Sequence, residues 1–107
     1  MRDFILSPDA EDELGEIWRF IFDESGEERA DKFVDLLETK FELLAKFPEI
    51  GRRRDDYIVG LRSFPVKSYV VFYQPINDGI EILHVLHASR DIESVFDRII
   101  DEADKLN

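Results

Sequence analysis

The chain has 107 residues, 44% of them hydrophobic and 36% charged, with nine Phe, three Tyr and one Trp, which is enough apolar mass for one core in a single domain spanning residues 1–107. The absence of Cys excludes a disulfide framework and a thiolate metal site, and suits a reducing, cytoplasmic setting. Twenty-five acidic against 14 basic residues give a net charge of −11, which opposes a sequence-independent grip on nucleic acid phosphates.

In chain order, the opening MRDFILSPDAEDE carries charge on both sides of a four-residue apolar run and is not read as a signal peptide. Within it RDFIL predicts a first strand, and SPD predicts a helix start with Ser7 as cap and Pro8 in the first turn. Ala10, Leu14, Ile17, Trp18 and Ile21 repeat as one helix face, which Ser25-Gly26 ends. From Glu27 a second stripe, Ala30, Phe33, Leu37, Phe41 and Leu44, runs until Pro48 forbids continuation. Helices joined this tightly are expected to form an antiparallel hairpin.

The second half changes period. GLRSFPV, SYVVFYQPI and GIEILHVLH are rich in β-branched and aromatic residues, and Asn77-Asp78-Gly79 is a hairpin signal, so a three-strand meander is expected. Pro65 lacks an amide donor and places its strand at an edge or an irregularity. Apolar residues on both alternating faces of the last two strands call for cover on both sides. The helical hairpin covers one. A C-terminal helix capped by Asp91 and carrying Ile92, Val95, Phe96, Ile99, Ala103 and Leu106 can cover part of the other, and any shortfall is an interface. No run approaches the roughly 18 apolar residues of a membrane span.

Several residues are candidates for chemistry. His84 and His87, three apart in a strand, point to opposite faces and do not chelate one metal; His84 reads as a satisfied core residue and His87 as the more open one. Arg52, Arg53 and Arg54 can fork onto phosphate oxygens or answer the neighbouring Asp55 and Asp56. Arg62, Lys67 and Arg90 lie on or beside the sheet, where they can gather around an anion or pair locally. The acids of the first helix, Asp9 to Glu16, show no spacing that singles out a pair and read as a solvated face. No nucleophile arrangement, metal site or cofactor is expected.

The order of these pieces, with LLAKFPEIGR, LRSFPVKSYVVFY and HVLHASRD as its most specific parts, resembles the RelE/ParE toxin superfamily over about residues 3–96, and is closest to its ParE-like branch. The resemblance implies an α+β domain of order β-α-α-β-β-β-α, with the hairpin on an antiparallel sheet. It implies the toxin of a two-gene type II toxin-antitoxin module, held in a hetero-oligomer with a cognate ParD-like antitoxin. ParE-like members poison DNA gyrase without catalytic residues of their own, whereas RelE-like members cut messenger RNA on the ribosome using sheet cations and an arginine followed six residues later by a tyrosine. Here Arg90 matches that arginine and Lys67 sits near another basic position, but six residues after Arg90 stands Phe96, which cannot move a proton. Both this loss and the net charge favour gyrase inhibition by protein contact. The alternatives are a nuclease in which Lys67, His87 and Arg90 act, with His87 taking the proton, or a degenerate toxin that only binds its antitoxin. Partner contacts are expected from Arg52, Arg53, Arg54, Arg62 and Arg90, and from the C-terminal helix through Val95, Phe96, Ile99 and Ile100.

Overall fold

The computed structural model describes residues 3–105. Strand β1 (Asp3–Leu6) leads into helices α1 (Pro8–Ser25) and α2 (Glu27–Lys46), then a single 3-10 turn over Pro48–Ile50. Strands β2 (Arg52–Arg53), β3 (Arg62–Val66), β4 (Tyr69–Ile76) and β5 (Gly79–His87) follow, and helix α3 (Ile92–Lys105) closes the fold. The five strands form one sheet in the order β1-β5-β4-β3-β2. The α+β class and the helical hairpin are as the sequence implies. Leu106 lies outside the described residues.

Local chemistry explains the boundaries. Ser7 accepts the Ala10 N–H at 3.0 Å on its side-chain oxygen, and its hydroxyl donates to the Leu83 carbonyl at 2.8 Å, so one residue both caps α1 and ties it to β5. Gly26, at φ 94°, makes the whole connection between α1 and α2. Asp91 accepts both the Ser94 N–H and the Ser94 hydroxyl, as the cap of α3 should, and those bonds hold its carboxyl below the usual range.

The sheet departs from expectation at its first strand. β2, β3, β4 and β5 pair antiparallel, but β1 pairs parallel to β5. The sequence reading omitted β2, which is only two residues long. With the helices running as a hairpin, each element reverses the chain, and the extra reversal at Arg52–Arg53 turns β5 round to the direction of β1. Gly79 makes this pairing fit, since a Cβ there would overlap the Asp3 carbonyl.

Two clusters hold the layers together. Leu14, Ile17, Leu37, Phe41 and Leu44 of the hairpin pack on Val71, Tyr73, Ile80, Ile82 and Val85. On the other face α3 places Val95 and Phe96 on Leu61, Phe72 and Leu86. Val95 and Phe96 are therefore buried, and not at the partner surface the sequence suggested. α3 supplies much of the cover that Phe72 and Leu86 have on that face, so its apolar stripe turns inward. Ile99 is half-buried and Ile100 is exposed.

Both outer edges of the sheet are blunted. On β1 the Phe4 N–H is taken by the carboxylate of Asp3 at 2.8 Å, and on β3 the stretch beyond β2 contains Pro65, which has no N–H.

Candidate functional site

The arginine loop is largely engaged with itself. Arg53 pairs with Asp55 at 2.8 Å, and Asp55 also accepts the Gly60 N–H, the main cause of its lowered pKa. Arg54 forks onto Asp56 and lies 4.3 Å over the Tyr57 ring; its hydrogen bond to Asp56 raises its own pKa and lowers that of Asp56. Arg62 donates to the carbonyls of Glu49 and Gly51 at 3.1 and 2.8 Å. Arg52 is exposed on β2. Arg53 and Arg62 also line a hollow of about 440 Å³ with Val59, Gln74 and Pro75. The plainer reading of this run, arginines answering local carboxylates, accounts for Arg53 and Arg54.

Tyr73 fixes the segment before that loop. Its hydroxyl donates to the Pro48 carbonyl at 2.7 Å and accepts the Gly51 N–H at 2.9 Å, and a Cβ at Gly51 would overlap its ring. Burial pushes the phenol above its ordinary value of 10.0. Tyr73→Phe leaves the buried Gly51 N–H and the part-buried Pro48 carbonyl without this partner and should cost about 2 kcal/mol in urea unfolding. A raised phenol pKa adds stability below the ordinary value and loses it as pH rises through the folded one. The wild-type advantage over Tyr73→Phe should therefore shrink above pH 10.0.

His84 is buried, as expected, but its partner was not foreseen. Glu13 of α1 places Oε2 at 2.8 Å from His84 Nδ1, and its Oε1 accepts the Val85 N–H at 2.8 Å. Glu13 is thus no part of a solvated face. β1 ends at Leu6, opposite Ile82, while β5 runs on to His87. The Glu13 carboxylate takes the place of the missing strand at Val85.

Lys67, His87 and Arg90 meet at one end of the sheet. Lys67 sits at φ 55° in the two-residue turn between β3 and β4, a backbone region that costs a side chain some strain. It lines a hollow of about 430 Å³ with Phe20, Ile21, Phe33, Tyr69 and His87. Arg90 lines a smaller adjoining hollow of about 180 Å³, which shares Phe20, Tyr69 and His87 with the first. A third, of about 390 Å³, shares Ile21 and Phe33 and ends at Arg29 and Lys32. Together they make one trough along the flank of the helical hairpin. Its wall is aromatic: Phe33 lies 5.5 Å from Tyr69, and Tyr69 meets the His87 ring edge-on at 5.1 Å. Burial raises the Tyr69 phenol pKa.

The chemistry available there is limited. His87 Nδ1 accepts the Ser89 N–H at 3.1 Å and lies 2.7 Å from the Ser89 hydroxyl, so that nitrogen is already engaged. Phe96, which stands where the resemblance would want a hydroxyl, is 0% exposed and stacks on Tyr57 at 4.9 Å within the α3 layer. Sequence reading missed Tyr69, Phe20 and Phe33 as neighbours of Lys67. The available signal was Phe20, which falls off the apolar stripe of α1 and is 60% exposed.

Known proteins with this pattern agree. A family model described as "ParE toxin of type II toxin-antitoxin system, parDE" matches residues 4–92. "Toxin ParE1" of Mycobacterium tuberculosis is 32% identical over 91 residues, 84% of this chain and 93% of that protein. "Toxin ParE1" of Caulobacter vibrioides is 32% identical over 89 residues, covering 83% and 92%. A solved "Chromosomal ParDE TA system from P. aeruginosa" shares the fold at a TM-score of 0.69 and 19% identity, over 81% of this chain and 96% of that one.

Proposed function

The chain belongs to the ParE toxin family of type II toxin-antitoxin systems, and on that premise we propose that it inhibits DNA gyrase by protein contact and is neutralised by a cognate ParD-like antitoxin in a hetero-oligomer. The observation that carries contact over hydrolysis is the position of Phe96. Its ring is locked between Tyr57, Phe72 and His84 on the face away from the trough, so no group at that position reaches a substrate near Lys67 or Arg90. The engaged Nδ1 of His87 weakens the remaining route to a base.

A nuclease is the second reading, because Lys67, His87 and Arg90 do line adjoining hollows. Purified chain added to gyrase supercoiling and cleavage assays, beside a coupled translation assay, separates the two. Gyrase inhibition with normal translation is expected. Blocked translation with untouched gyrase, and its loss on Arg90→Ala, would establish the nuclease instead.

A further inference from the structure

Among the described residues no large hydrophobic side chain is more exposed than Val59, at 86%, and its loop is built to hold it there. Asp55 accepts the Gly60 N–H at 2.9 Å, and the Arg54 N–H donates to the Leu61 carbonyl at 2.8 Å across the base of the loop. Its other apolar residues turn inward: Ile58 packs on the second cluster, Leu61 is fully buried, and Tyr57 stacks on Phe96. Gly60, at φ 87°, supplies the reversal between the inward residues and the outward one.

Val59 lines the hollow of about 440 Å³ together with Arg53, Arg62 and Pro75. A second hollow, of about 470 Å³, shares Arg62 and Pro75 with it and continues to Ile76, 41% exposed, and to Glu49 and Asp78. The charge here runs against that of the chain, since residues 51–62 hold four bases and two acids in a molecule of net charge −11. Arg53 and Arg54 are answered by Asp55 and Asp56. Arg52 is exposed, and among the described residues its side chain has neither an ion pair nor a hydrogen bond. The region is also remote from Lys67 and His87: Tyr69 lines their hollow and Pro75 lines this one, six residues apart along β4, or roughly 20 Å.

From this fixed apolar tip beside a cationic strip we infer that the Val59 loop and the two hollows are the surface by which the chain grips gyrase. Val59 enters an apolar recess of the enzyme, an acidic segment of the enzyme meets Arg52 and Arg53, and the apolar continuation of that segment lies over Pro75 and Ile76. The inference rests on the gyrase reading above and adds to it the place and the chemistry of the contact. Glu49 and Asp78 set the direction, because they repel acids at the β4–β5 turn and leave the loop end as the acidic one. A tip already held by its own loop loses little freedom on docking, which suits it as an anchor. Duplex DNA is the poorer occupant: its phosphates give Val59 nothing to pack on, and the net charge of the chain opposes them.

The test uses the full chain in a gyrase supercoiling assay. Val59→Asp changes an exposed side chain, so the melting temperature should hold while the concentration for half inhibition rises at least about tenfold. Val59→Ile keeps the apolar tip and should inhibit as wild type does. Arg52→Glu should raise the same concentration at least about threefold, and Arg52→Lys should leave it unchanged. A wild-type chain that does not inhibit gyrase removes the gyrase reading and this surface with it. Inhibition by wild type and equally by Val59→Asp removes this surface alone. Calorimetry with the product of the adjoining reading frame is the second arm, and wild type and Val59→Asp should bind it with the same affinity. A fall in that affinity matching the loss of inhibition makes the antitoxin the occupant and overturns the assignment. Retention of the free chain on duplex DNA, abolished by Arg52→Glu, overturns it in favour of nucleic acid.

Discussion

Glu13→Ala should destabilise the fold by about 3 kcal/mol, more than any other single change among the acids of α1. The Glu13 side chain is only 15% exposed, and it serves two groups at once, His84 Nδ1 and the Val85 N–H. Truncation leaves a buried imidazole and a buried backbone donor facing a gap where neither water nor β1 can reach them easily. For a domain of this size the loss corresponds to a fall in melting temperature of roughly 15 °C. Glu16→Ala, three residues further on an exposed position, is the comparison and should change stability by less than about 0.5 kcal/mol. Glu13→Gln keeps an oxygen for Val85 and should recover about half of the loss. A Glu13→Ala chain that melts within 3 °C of wild type would show that water replaces the carboxylate, and the account of the β5 edge would be wrong.

Phe96→Ala should cost about 4 kcal/mol, the usual range for emptying a fully buried phenylalanine site. The ring is the hub of the second cluster, within 4.9 Å of both Tyr57 and Phe72 and 5.7 Å of His84. Because α3 is short and docks through few large residues, its last turns should lose amide protection before the rest of the chain unfolds. Hydrogen exchange followed residue by residue checks this. Exchange that accelerates uniformly through β4, β5 and α1 would instead place Phe96 in the global core. Phe96→Tyr is informative in the opposite sense. The ring is fully buried against Tyr57, Phe72 and His84, so an added hydroxyl overfills the cluster, and the variant should be less stable and should gain no ribonuclease activity.

Much of the fold was legible because it is written in local signals. The stripes Ala10-Leu14-Ile17 and Ala30-Leu37-Phe41, the Ser7 and Asp91 caps and the stop at Pro48 each act within a turn or two of their own position. The features that escaped depend on distant pairing. Arg52 and Arg53 look like loop because two residues carry no period, yet their pairing with Arg62 and Ser63 decides the direction of β5 against β1. Glu13 is one acid among many until β1 is seen to stop short of Val85. In the same way a bulge between Phe72 and Tyr73 resets the register of β4 against β5, which strict alternation along GIEILHVLH does not foresee. Lys67 and Arg90 were singled out as cations, but the aromatic trough they flank draws on α1, α2, β4 and β5 together.

The blunted sheet edges bear on how such a protein can be told from its relatives. Recognition by strand addition reads backbone, which every chain shares, and so it discriminates poorly between paralogous partners. With the Phe4 N–H occupied by Asp3 and Pro65 silent on the far side, this sheet offers little to a sequence-blind strand. A partner is left with side chains to read, and side chains differ from one relative to the next. A cell carrying several related modules could then keep them insulated by a handful of substitutions, and one substitution on either side would be enough to begin a new pairing.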